Sequence, residues 1–127
     1  MELTCSVRNN IFTIKLLESL HLHNAQDFKY FFNSRIEKKF DVIIDLSSIQ
    51  NIDEIGVACL FYCHEIAFAF GSRVFIYKPQ GQVKRNMQIM NCYESFEIID
   101  HKNLSVFESL FIEFESKLSS AEVKKVA

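Results

Sequence analysis

The 127-residue chain has room for one domain, since roughly 100–200 residues per domain is usual. Hydrophobic residues make up 49% and charged residues 24%, which excludes a disordered chain, and 3 Gly with 1 Pro exclude collagen-like and linker-like sequences. With 14 Lys+Arg against 16 Asp+Glu, a formal net charge of -2, the chain lacks the clustered basic excess that a duplex-binding domain needs, so no nucleic-acid partner is expected.

Leu3, Cys5 and Val7 alternate with Thr4, Ser6 and Arg8, the period-two pattern of a half-buried strand. Asn9-Asn10 tolerates positive φ and closes a tight turn onto a second strand, in which Phe12, Ile14 and Leu16 alternate with Thr13 and Lys15. These two strands form an N-terminal hairpin. Asn24 can cap a helix over roughly 24–39, with Asp27 in its first turn and Arg35, Lys38 and Lys39 late, as the helix dipole prefers. Phe28, Phe31, Phe32 and Ile36 fall on one face of it.

Val42, Ile43 and Ile44 are consecutive, β-branched and apolar, with Leu46 following, which reads as a central strand covered on both faces. After a polar connection, Ile55 to Phe70 is apolar almost all round. Its polar stripe is thin: Glu54, Tyr62 and Glu65, with Ala58 and Ala69 on the same line. Such a helix is either largely buried or offers an apolar surface to a partner. That fits a contact beyond the monomer and a tightly packed monomer equally, and leaves the oligomeric state open. Gly71 supplies a C-terminal cap.

Val74 to Tyr77 is another short strand, Pro79-Gln80-Gly81 a turn, and roughly 82–91 a short helix presenting Val83, Met87 and Met90. Phe96, Ile98 and Ile99 suggest a last strand. Leu104, Phe107, Leu110, Phe111, Phe114 and Leu118 mark one face of a long C-terminal helix. The domain is expected to occupy 1–120, with a small, charged tail over 121–127 that frays. The order β-β-α-β-α-β-α-β-α predicts a single α/β domain: a mixed β-sheet with an N-terminal hairpin and about four helices packed on it. The 13 Phe then fill the layers between helices and sheet.

No apolar run approaches the roughly 18 residues of a membrane span, so no direct membrane insertion is expected. Met1 to Asn10 has no charged-then-apolar signal layout, and the expected location is the cytoplasm. Cys5, Cys59, Cys63 and Cys92 are then reduced thiols. Cys59 and Cys63 share a helix face beside His64, but a structural zinc site needs a second ligand pair, and none is visible. His21 and His23 would share a face of an extended segment, without a third ligand; His64 and His101 are scattered. There is no glycine-rich phosphate loop, nucleophile elbow or His-Glu-x-x-His pattern. The chain is therefore read as non-catalytic, with no cofactor and no metal.

One segment carries more. The strand Asp41–Asp45 continues through Leu46-Ser47-Ser48-Ile49-Gln50-Asn51-Ile52 into an apolar helix at Asp53-Glu54-Ile55-Gly56. Asp53 can cap that helix through its carboxylate, and the helix start exposes unpaired backbone N–H groups.

This segment resembles the STAS family, the fold of bacterial anti-sigma factor antagonists. Members carry a hydrophobic strand, an Asp-Leu-Ser-like tail and an Asp-Ser-Ser-Gly step into an apolar helix. Asp45-Leu46-Ser47 matches the tail, and Asp53-Glu54-Ile55-Gly56 stands where Asp-Ser-Ser-Gly would be. Downstream, Gly71 to Pro79 resembles the next strand and turn, Gln82-Val83-Lys84-Arg85 the short helix, and Asn91 to Ile99 the closing strand. The resemblance runs over about residues 3–117.

The resemblance implies a transcription regulator in bacterial signalling. Its partner would be an anti-sigma factor, a serine-kinase-type ATPase protein that phosphorylates the second Ser of the motif. Here that position is Ile55, preceded by Glu54, and Ile55 cannot accept a phosphate. Three readings follow: a phosphorylation-insensitive docking module with Ile55 as an apolar contact, a permanently charged form through Glu54, or regulation moved to Ser47 or Ser48. The interface expected is the loop 47–53, the helix start 54–62 and the short helix near Lys84. Its candidate residues are Ser47, Ser48, Asn51, Asp53, Glu54, Ile55, Gly56, Ala58, Tyr62 and Lys84. Asp53 would set the helix start and Gly56 would permit close approach. Two alternatives stand beside this: a STAS subunit of an ABC-type lipid transporter ATPase complex, and a small metal- or ligand-binding domain using Cys59, Cys63 and His64.

Overall fold

The computed structural model describes residues 1–37 and 40–99, with the backbone of Glu122–Lys125. The elements run β1 (Glu2–Arg8), β2 (Ile11–Leu16), α1 (Ala25–Arg35), β3 (Asp41–Asp45), α2 (Glu54–Ala69), β4 (Val74–Tyr77), α3 (Gly81–Ile89), α4 (Cys92–Ser95), β5 (Glu97–Ile99) and β6 (Glu122–Lys125). The strands form one sheet in the order β5-β4-β3-β2-β1-β6. β1 pairs antiparallel with β2 and with β6, while β2, β3, β4 and β5 are mutually parallel. The mixed sheet with an N-terminal hairpin is the expected one. The hairpin turns at Asn9 and Asn10 with φ of 52° and 63°, the two positive values that a right-twisted two-residue turn requires.

Alternation along the strands divides the apolar residues between two faces. Val42, Ile44, Val74 and Ile76 join Phe12 and Ile14 in the main core, which includes Phe28, Phe32, Val57 and Leu60 from α1 and α2. Ile43, Phe75, Tyr77 and Ile99 form a smaller cluster on the other face. Phe28 and Phe32 are fully buried, worth about 1.5–3 kcal/mol each. Their rings lie 6.4 Å apart, and Phe31 lies 6.2 Å from Phe12.

Helix ends follow local chemistry. α2 stops in a Schellman arrangement: Ser72 N–H donates to the Ala67 carbonyl (2.8 Å), Gly71 N–H to that of Phe68 (3.0 Å), and Gly71 holds φ of 74°. α1 departs from expectation at both ends. Asn24 stands at the N-cap position, but its side chain makes no cap bond; it turns back to the loop, donating to Ser19 O (2.8 Å) and accepting from His21 N–H (3.0 Å). The helix ends at Arg35, short of 39, because Ile36 turns extended (ψ 137°) and enters the core. Lys38 and Lys39 lie outside the described residues, as do the expected C-terminal helix over Leu104–Leu118 and His101. Within the tail expected to fray, Glu122–Lys125 pair with β1, from Glu2↔Lys125 to Cys5↔Glu122.

Candidate functional site

The C-terminal ends of the parallel strands converge on one edge of the sheet. In an open α/β sheet, the crevice beyond these ends is where ligands collect. Three segments meet there: the loop after β2 (17–24), the loop after β3 (46–53) and α3.

The β3 loop is tied down along its length. The buried Asp45 carboxylate accepts from Ser47 N–H (2.8 Å), and Gln80 Nε2 donates to Ser47 O (3.0 Å). Asn51 N–H donates to Ser19 Oγ (3.1 Å). Ile52, buried to 1% exposure, is clamped by two amides from α3: its N–H donates to Gln82 Oε1 (2.9 Å), and its carbonyl accepts from Gln82 Nε2 (3.2 Å) and Asn86 Nδ2 (2.8 Å). Gln82 and Asn86 can do this together because residues four apart share a helix face. On its other side Ile52 forms a parallel bridge with Leu20.

Asp53 joins the two loops to α2. One carboxylate oxygen accepts from Gly56 N–H (2.7 Å) as a helix cap, and the other from Leu22 N–H (3.0 Å). Asp53 N–H donates to Leu20 O (3.3 Å). Gly56 completes the joint: a Cβ there would overlap the Leu20 carbonyl oxygen and sit 2.7 Å from Ile52 Cγ1.

These ties frame an open cleft of about 500 Å³, lined by residues 19–22, residues 51–55, Gln82 and Asn86. Of the candidate residues, the cleft unites Asn51, Asp53, Glu54 and Ile55. Glu54 is exposed, and Ile55 is 45% exposed on the first turn of α2. Ser47 is half-buried, Ser48 and Ala58 are exposed, and none of the three lines the cleft. Nor does Lys84, half-buried on α3, or Tyr62, whose ring lies 4.8 Å beneath Lys29 Nζ. Gly56 is buried, and the close approach it permits here is to Leu20 of its own chain. The candidate residues included none of Ser19, Leu20, His21, Leu22, Gln82 and Asn86, although the expected interface took in the short helix near Lys84. The amide pair four residues apart on α3 is the sequence signal that could have pointed to the last two.

α2 buries Val57, Cys59, Leu60, Cys63 and Ala67 and exposes Phe68 at 76%. Its cysteines and His64 diverge. Cys59 Sγ lies 3.5 Å from Ala25 O in α1, whereas the His64 ring meets Phe96 edge-on at 5.3 Å. Burial pushes the Cys63 thiol well above the ordinary 9.0, and the neighbouring Cys59 adds to the rise. A protonated, buried thiol is a poor metal ligand. Among the described residues, no three His, Cys, Asp or Glu side chains are grouped to hold a metal ion, and no helix is long and apolar enough to cross a membrane.

Comparison with known proteins agrees with this architecture. The family model described as STAS domain matches residues 3–117. No curated protein sequence matches the chain. The fold is similar to that of a candidate anti-sigma factor antagonist from Thermotoga maritima (TM-score 0.69, 17% identity, 82% of this chain and 91% of that one). It is also similar to the unphosphorylated form of the anti-sigma factor antagonist SpoIIAA (TM-score 0.62, 12% identity, 85% and 96%). A sulfate transporter family protein from Wolinella succinogenes is comparably similar (TM-score 0.66, 13% identity, 85% and 92%). At these identities the likeness is one of fold.

Proposed function

This chain belongs to the STAS domain family, and from that membership we propose that it is a non-catalytic protein–protein interaction domain, an anti-sigma factor antagonist-like regulator of transcription acting in the bacterial cytoplasm. Its partner is an anti-sigma factor of the serine-kinase ATPase type. The observation that carries this reading is the placement of Ile55. It stands where the family motif has its phospho-acceptor serine, exposed on the first turn of α2 beside Glu54, at the rim of a braced cleft. The docking position is kept and the hydroxyl is gone. The domain therefore docks without the usual phosphate switch, which elsewhere works by placing close to two negative charges at the interface.

The test is a pull-down with the chain as bait, with and without ATP. The expected result is recovery of a kinase-fold anti-sigma factor, unchanged by ATP, while the Ile55→Ser chain gains phosphate and loses the partner. Recovery of no such regulator overturns the antagonist reading. Phosphate gained by the natural chain at Ser47 or Ser48 would place the switch in the loop instead.

A second reading is supported by the fold likeness to the transporter-family protein: a STAS subunit of a transporter complex, the ABC-type lipid systems included. Co-purification with a transporter ATPase, or transporter genes beside this one, would favour it.

A further inference from the structure

Much of the cleft's polar wall is already used. Gln82 and Asn86 spend their amides on the Ile52 backbone, Ser19 Oγ on Asn51 N–H, and Asp53 both oxygens on Gly56 and Leu22. Two exposed apolar side chains line it, Leu22 at 62% exposure and Ile55 at 45%, beside the exposed Asn51 and Glu54 and the half-buried His21. Exposed apolar side chains framed by polar groups mark a surface that another protein covers.

Charge then selects the occupant. The charged residues lining the cleft are Asp53 and Glu54, both acidic, with no Lys or Arg among them. Asp53 is bound into the fold, whereas among the described residues no hydrogen bond or ion pair engages the exposed Glu54 carboxylate. An anion entering here meets a like charge, and a cation meets an unshared one.

We propose that this cleft takes a basic amphipathic segment of a protein partner, one apolar side chain seated between Leu22 and Ile55 and a neighbouring Lys or Arg reaching Glu54. This rests on the reading of the domain as an interaction module and specifies the partner's chemistry. Apolar contact supplies affinity, and the charge supplies orientation and rejection of acidic segments.

The probes are two short synthetic helical peptides with the same leucine face, one with lysines on its polar face and one with glutamates. Each is titrated at low salt into the 15N-labelled full chain and read by amide shifts. The lysine peptide is expected to move the amides of Leu22 and Asp53–Ile55 saturably, and the glutamate peptide to leave them unmoved. Leu22→Ser and Ile55→Ser should each weaken the lysine peptide by about tenfold, and Glu54→Gln by a few-fold. All three positions are exposed, and the remaining amide spectrum reports that each variant is folded. Equal binding of both peptides, shifts centred elsewhere, no binding by either, or indifference to Leu22→Ser overturns the proposal. Failure of the antagonist reading shows separately, as absence of a regulator from the pull-down with these shifts intact.

Discussion

Asp53 accepts a hydrogen bond from the backbone N–H of Leu22 at 3.0 Å, across 31 positions of sequence. The same carboxylate caps α2 through Gly56. Asp53→Ala removes both bonds, and the expected loss is about 2 kcal/mol, combining a cap with a charge-assisted bond. Asp53→Asn keeps an acceptor for the cap and should lose about half as much. Urea denaturation of both variants measures this. Equal losses would show that the cap contributes nothing, and no loss in Asp53→Asn would show that the Leu22 bond contributes nothing.

Gly56→Ala reverses the usual helix expectation. Ala is favoured over Gly inside a helix by about 1 kcal/mol. Here the added methyl would collide with the Leu20 carbonyl, a backbone atom held by its bridge to Ile52. Overpacking of this kind costs about 1–3 kcal/mol, so the net effect is destabilisation. A raised melting temperature in Gly56→Ala would show that the two loops can part without cost.

Gln82→Ala should destabilise by about 1–2 kcal/mol, because it leaves the buried Ile52 N–H without its acceptor. Amide exchange is the sharper measurement. Residues 51–53 should exchange faster while the strands keep their protection. Unchanged exchange there would show that the remaining ties hold the loop without Gln82.

The thiols set an alkaline limit. Burial raises Cys63 well above the ordinary 9.0, and burial raises Cys92 as well. A group with a raised native-state value holds its proton longer when folded. Its contribution is complete below the unfolded value and is lost as pH rises through the folded one. Stability should be level up to about pH 8 and fall above about pH 9, with a shallower fall in Cys63→Ala. Native Cys59 and Cys63, both fully buried, should resist alkylation until the chain unfolds.

Much of the fold is written locally. Val42-Ile43-Ile44 announces a strand buried on both faces, Asn9-Asn10 the hairpin turn, Asp53 and Gly71 the two ends of α2. Each signal needs only its near neighbours. Asn24 misled because a loop contact with Ser19 outcompeted the cap that its type prefers. α4 has four residues, too few to show any period, and in the sequence it merges into the closing-strand segment Asn91 to Ile99. Half of the site was equally hidden. Leu22 looks like a stray loop residue and Gln82 like a solvated helix position. Their roles come from partners about thirty residues away, the Asp53 carboxylate for Leu22 and the Ile52 backbone for Gln82, which periodicity does not see.

The pairing of β1 has a practical side. Glu2 pairs with Lys125, so the first and last strands bring their outer ends together, beside Leu16 where β2 ends. Glu2 N–H also donates to Glu18 (3.2 Å), whose other oxygen accepts from Asn24 in the loop that forms one cleft wall. Anything fused to either strand end emerges on the cleft side of the sheet. An affinity tag or fluorescent protein there would crowd the surface being assayed. The exposed hairpin tip at Asn9-Asn10, at the opposite end of β1, is the better place to attach a handle.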